Sequence, residues 1–120
     1  MPEKTVRTTM LFDFFGEMLT EKQRAYFDLY YNEDFSLAEV AENYGVSRQC
    51  VYDTLSRAGA VLDELEEKTG AVGRFENLRG GLARAQELAE RLAELSPSGE
   101  AGSAARTLVR ALGELKGQVM

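Results

Sequence analysis

Ser36-Leu37-Ala38-Glu39-Val40-Ala41-Glu42-Asn43-Tyr44-Gly45-Val46-Ser47-Arg48-Gln49-Cys50-Val51 is the stretch whose reading decides the fold. It opens on a serine with a glutamate three residues later, the spacing at which two side chains satisfy each other's backbone amides at a helix start. Leu37, Val40, Ala41 and Tyr44 follow at helical spacing and form an inner face. Gly45 then stops the helix, because glycine takes up positive φ without steric cost. Val46 is the hydrophobe that plugs the angle between two helices, and Ala41 is small where a second helix must cross closely. Ser47 caps what comes next and leaves first-turn amides open to a phosphate. This grammar predicts a helix-turn-helix whose second helix, running from Ser47, meets the partner.

Working outward, the helix after Ser47 keeps Val51, Leu55, Ala58, Leu62 and Leu65 on one side and extends to about Lys68, ending at Thr69-Gly70. Upstream, Thr20 and Gln23 repeat the reciprocal cap. Phe27, Tyr30 and Tyr31 mark the buried side of that helix, which ends at Asn32-Glu33-Asp34. An added helix starts near Thr5, with Val6, Met10, Phe14 and Met18 every four residues and Leu11 and Phe15 beside them. Beyond Gly70 the composition turns to Ala, Leu, Arg and Glu, with Phe75 the only aromatic. Leu78, Leu82, Ala85, Leu88, Ala89, Leu92 and Leu95 outline a long amphipathic helix that Gly80-Gly81 could kink. Ser96-Pro97-Ser98-Gly99 breaks it, Ala101-Gly102-Ser103 stays small, and a last helix is expected near Ala104 to Lys116. The reading is all-α: a helix-turn-helix domain over 1–70, then a helical tail over 71–120 with a flexible break near 96–103.

Composition narrows the chemistry. The 120 residues contain no His and one Cys. A histidine-activated nucleophile, a His-ligated zinc and an intramolecular disulfide are therefore excluded. No apolar run reaches the roughly 20 residues that span a bilayer. Met1-Pro2-Glu3-Lys4-Thr5 lacks the pattern of a secretory signal. The expectation is a non-catalytic cytoplasmic protein with neither metal nor cofactor. Its net charge is −6. Residues 1–70 hold seven basic and fourteen acidic side chains; residues 71–120 hold seven and six. Such a chain repels a phosphate backbone at long range.

The helix from Ser47 still has a surface to offer. With Val51, Leu55, Ala58 and Leu62 turned inward, Gln49, Asp53 and Ser56 point away, Tyr52 and Arg57 flank them, and Arg48 lies nearer the core edge. Gln pairs with adenine, Asp accepts from cytosine, and Arg reaches guanine or phosphate. Lys22 and Arg24 on the preceding helix could add two phosphate contacts. The cationic footprint remains thin, and Asp53 opposes it. Phe12, Phe14, Phe15, Phe27, Tyr30, Tyr31 and Phe35 could stack on bases, but the helical spacing of most of them favours core packing. The surplus of apolar side chains on the first helix, through Phe12 and Phe15, points to a homodimer interface. Cys50 reads as a small filler near the recognition surface. Asp63, Glu64, Glu66 and Glu67 read as a solvated face rather than a metal cage, and the tail arginines as partners in intrahelical ion pairs.

Leu19-Thr20-Glu21-Lys22-Gln23-Arg24 together with Ser36 through Ser47 resembles region 4 of bacterial sigma factors. The opening Glu3-Lys4-Thr5-Val6-Arg7-Thr8-Thr9-Met10-Leu11-Phe12-Asp13-Phe14, with Arg48-Gln49-Cys50-Val51-Tyr52-Asp53, is similar to the YlxM family of small helix-turn-helix proteins. The resemblance covers about residues 3–70. It implies a regulatory protein associated, through gene neighbourhood, with the signal recognition particle pathway. On that reading an adaptor engages the particle's RNA or GTPase through Arg48, Gln49, Tyr52, Asp53 and Arg57. Two alternatives stand beside it: a dimeric transcription regulator placing this helix in the major groove of DNA, and a dimerisation scaffold that binds no nucleic acid.

Overall fold

The structure is a computed structural model that describes residues 4–119. Its described residues are all-α: α1 (Val6–Phe15), α2 (Glu21–Phe27), α3 (Leu37–Tyr44), α4 (Arg48–Thr69), α5 (Ala71–Leu95) and α6 (Gly99–Val119). They divide into two compact units, Met1–Val72 and Gly73–Met120.

In the first unit, side chains fix each helix start. The Thr5 hydroxyl accepts the Thr8 amide at 3.1 Å, and the Ser47 hydroxyl accepts the Cys50 amide at 3.0 Å. Thr20 with Gln23, and Ser36 with Glu39, each form the full reciprocal cap, together worth about 1 kcal/mol per helix start. α2 and α3 both pack on α4, whose Val51, Leu55, Ala58 and Leu62 are buried as its spacing predicts, while Leu65, expected in the same row, is half-buried. Phe27 is fully buried at the centre, stacked on Phe12 at 4.9 Å and on Tyr31 at 4.2 Å. The aromatic residues of this stretch are thus largely core packing, each burying far more apolar area than an aliphatic side chain would.

Three local features depart from the sequence reading. After α2 the chain widens into one π-helical turn, Asp28–Asn32, braced by the Asn32 amide donating to Asp28 at 2.8 Å. Asp34 then takes φ 58°, a left-handed conformation that aspartate tolerates better than most side chains. On α1 the expected inner row is turned outward. Val6, Phe14 and Met18 are exposed and only Met10 of that row is buried, while Thr8, Leu11 and Phe15 face inward. A 3-10 turn, Gly16–Met18, follows and brings Leu19 into the core.

α4 ends at Gly70, whose left-handed φ of 63° stops the helix. Thr69 donates its hydroxyl to the Leu65 carbonyl at 2.8 Å and accepts the Ala71 amide at 3.3 Å. α5 therefore begins at Ala71, seven residues before Leu78, where the leucine spacing had started it.

In the second unit, α5 runs unbroken through Gly80-Gly81, so no break accompanies that pair. α6 starts at Gly99 rather than Ala104. The expected flexible break over 96–103 shrinks to Ser96–Ser98, because Gly99 (φ 80°) turns the chain directly into helix. The small residues that follow serve close approach: a Cβ on Gly102 would strike the Ser96 carbonyl oxygen. Arg106 closes the turn by donating to the Pro97 carbonyl at 3.0 Å. α6 returns antiparallel along α5, with Gln86 beside Gly113 and Lys116 sharing a shallow cavity with Glu76 and Arg79.

Candidate partner-binding surface

The turn between α3 and α4 is set by backbone geometry. Gly45 sits at φ 65°, ψ 37°. Its amide bonds to the Glu42 carbonyl at 3.3 Å, and the Val46 amide reaches back to the Ala41 carbonyl at 3.0 Å. These bonds occupy carbonyls that a helix end leaves open. Val46 is half-buried, and Ala41 and Val40 lie beneath it in the core. The turn thereby delivers α4 with its first two turns outward.

Arg48, Gln49, Tyr52, Asp53 and Arg57 are all exposed, Arg48 included, although the helix period placed it nearer the core edge. Gln49 and Asp53 are not independent: the Gln49 amide donates to the Asp53 carboxylate at 2.9 Å. An asparagine-like bidentate contact from Gln49 to adenine would have to break this clasp. Ser47 is exposed but its hydroxyl is committed to the helix cap. Ser56 departs from its expected place. It is half-buried, and its Oγ is out of reach of solvent with no hydrogen-bond partner among the described residues, so it does not contribute to an outward face.

The two cations of α2 separate. Lys22 reaches α4, with Nζ 3.8 Å from the Cys50 sulfur and 5.6 Å from the centre of the Tyr26 ring. It lines a shallow depression with Thr20, Tyr26 and Tyr44. Arg24 lies two residues on, about 200° around the helix, and borders a different depression with Phe12 and Asp28. Lys22 therefore joins the start of the recognition helix and Arg24 does not. Tyr26 and Tyr44, rings 4.7 Å apart, flank Lys22. The sequence reading gave Tyr44 only an inner-face role, yet it is partly exposed here; its position four residues after Val40 carried no sign of that.

Phe12 and Phe15, expected at an interface between two copies, are turned into the first unit instead. Phe15 is buried, and Phe12 is half-buried and stacked on Phe27 of α2. The acidic run at the end of α4 also divides. Asp63, Glu64 and Glu67 are solvated, and Glu64 and Lys68 pair at 2.8 Å, each holding the other's charged form. Glu66 is buried, its carboxylate accepting the Val72 amide at 2.9 Å. Among the described residues no group of three acidic or cysteine side chains is placed to hold a metal ion. No helix there is long and apolar enough to cross a membrane.

Residues 2–95 match the UPF0122 family model, described as "putative helix-turn-helix protein, YlxM / p13 like". A UPF0122 protein of Halalkalibacterium halodurans is 47% identical over 93 residues, covering 78% of this chain and 85% of its own. A UPF0122 protein of Geobacillus kaustophilus is 44% identical over 116 residues, covering 96% and 99%. One from Bacillus velezensis is 47% identical over 92 residues, covering 77% and 84%.

Proposed function

The chain belongs to the UPF0122 family of YlxM / p13 like helix-turn-helix proteins, and from that premise we propose that it is a non-catalytic regulatory adaptor of the signal recognition particle pathway. In this reading it works in the cytoplasm, where its one thiol stays reduced. The first two turns of α4 dock on the particle's GTPase or RNA, with Arg48, Tyr52 and Arg57 making the contact and Lys22 at its edge. The carrying observation is the mixed character of that face. It joins exposed cations to an exposed tyrosine and to the paired Gln49 and Asp53, in a unit with an excess of acidic side chains. A surface of that make-up suits a shaped macromolecular partner better than bare duplex, where several phosphate contacts are the rule.

A second reading is a DNA-binding transcription regulator. It is favoured by the turn, since a helix ended by left-handed Gly45 and followed at once by a Ser47-capped helix is the arrangement from which helix-turn-helix proteins read a major groove. Recovery of bound partners from the native cytoplasm separates the two. The adaptor reading expects the particle's GTPase or RNA to copurify with the wild-type chain and to be lost with Arg48→Ala plus Arg57→Ala. Unchanged recovery by that variant removes it. The DNA reading instead expects footprints on duplex and an affinity that falls steeply with salt.

A further inference from the structure

The second unit carries more apolar surface than its own packing uses. Leu82 and Ala89 of α5 and Ala105 of α6 are buried, and Val109 and Lys116 are half-buried. These residues mark the seam between the two helices. One residue before the seam, on each helix, runs a second apolar stripe. On α5 it contains Leu78, Leu88, Leu92 and Leu95, which are 48–72% exposed. Ala85 lies among them, and the stripe follows the alternating three- and four-residue spacing of helices that pack against partners. On α6 it contains Ala104, Leu108, Ala111 and Leu115, with both leucines close to half exposed. One residue turns about 100° around a helix. Because α5 and α6 are antiparallel, the same sense of rotation from the seam places both stripes on one side of the hairpin.

We propose that this face binds the same face of a second copy, two α5–α6 hairpins closing into a four-helix bundle about a two-fold axis parallel to the helices. The charges bordering the stripes suit a second copy set about that axis. Arg84, Glu87, Arg91 and Glu94 each stand one residue ahead of a member of the α5 stripe, on its outer edge. Arg110 and Glu114 stand in the same relation to the α6 stripe. With the axis parallel to the helices, α5 of one copy lies on α6 of the other and these two mixed edges meet. An axis perpendicular to the helices would put α5 on α5 instead. The register within the hairpin, Gln86 beside Gly113, brings Arg84 level with Glu114, and Glu87 with Arg110, across such a bundle. Arg84 already touches Glu87 at 3.6 Å, and its guanidinium has further donors for a second carboxylate. The face is about 30 Å long and two helices wide, a footprint of about 600 Å². That exceeds the apolar patches monomers usually expose and approaches the roughly 800 Å² that each partner gives to an ordinary stable interface.

Sedimentation and light scattering of the full chain test this. Wild-type protein is expected at twice its 13.3 kDa chain mass at micromolar concentration. Leu88→Glu with Leu92→Glu is expected at the single-chain mass with its helical circular dichroism intact, both positions being solvent-exposed. Arg84→Glu is expected to weaken association at least about tenfold through like-charge contact with Glu114, and Arg84→Glu with Glu114→Arg to restore it. Phe14→Glu, on the exposed side of α1, is expected to leave the dimer whole. A monomeric wild type overturns the proposal. So does a dimer that survives the leucine changes, one that Phe14→Glu dissociates, or a charge exchange that fails to restore association.

Discussion

The Glu66 carboxylate accepts the Val72 amide at 2.9 Å, one turn past the end of the helix that carries it. Glu66 is the last buried residue of α4 and Val72 the first buried residue of α5, so this buried bond ties the first turn of α5 to the last turns of α4. The donor is a first-turn amide that α5 cannot satisfy itself, and a negative charge there also meets the positive end of the helix.

Replacing Glu66 tests that role. Glu66→Ala leaves a buried amide without its acceptor, and about 1–3 kcal/mol of stability is expected to be lost. Glu66→Gln keeps an acceptor oxygen and should recover most of it. Urea unfolding of the two variants makes the comparison. Equal stability for Ala and Gln would show that the bond carries no weight.

Gly45→Ala isolates backbone conformation from packing. A Cβ at this position meets nothing within 4 Å, yet φ is 65°. The expected cost is therefore about 1–2 kcal/mol, the left-handed penalty alone. Gly45→Asn, which accepts that conformation more readily, should cost less. Thermal unfolding would reveal a different mechanism if the order were reversed.

Phe27 should be the most sensitive position in the first unit. It is fully buried and stacks on both Phe12 and Tyr31. Phe27→Ala is expected to cost about 3–5 kcal/mol, enough to consume much of a small unit's stability. Phe14→Ala, whose ring is partly exposed, should cost far less. Chemical denaturation of both variants checks the ranking.

Tyr31 sets an alkaline limit. Burial first, and the neighbouring Tyr30 second, push its phenol well above the ordinary tyrosine value near 10. Folding therefore favours the protonated form. Its contribution is complete below pH 10 and declines as pH rises beyond the value of the unfolded chain. Stability should be level from pH 8 to about 10 and then fall, and Tyr31→Phe should flatten that fall. Denaturant midpoints measured across this window decide it.

Much of this structure is written locally. Thr20 with Gln23 and Ser36 with Glu39 announced two helix starts, Gly45 and Gly70 two ends, and the α4 spacing named four buried residues correctly. What escaped depends on contacts distant in sequence. Spacing made Val6, Met10, Phe14 and Met18 one stripe. The neighbouring row, with Leu11 and Phe15, lies inward where α1 packs on α4. The π-helical turn has no signature in its residues. Glu66 looked like its solvated neighbours until the Val72 amide was placed against it, and Gly102 looked loose until the Ser96 carbonyl was. On the recognition face the outward direction of Gln49 and Asp53, with Tyr52 and Arg57 beside them, followed from the helix period, whereas the exposure of Arg48 did not. The separation of Lys22 from Arg24, and the burial of the Ser56 hydroxyl, needed the neighbouring helices.

The contact between Lys22 and Cys50 gives the molecule a built-in reporter. Cys50 is the one thiol in the chain and lies, half-covered, where α2 meets the first turn of α4. A maleimide dye would attach at a single address beside the recognition face without altering any residue in it. Anything seated there would shield the sulfur and slow the reaction, so labelling speed becomes a clock for occupancy. The same measurement serves protein, RNA and DNA alike, with no partner needing a tag.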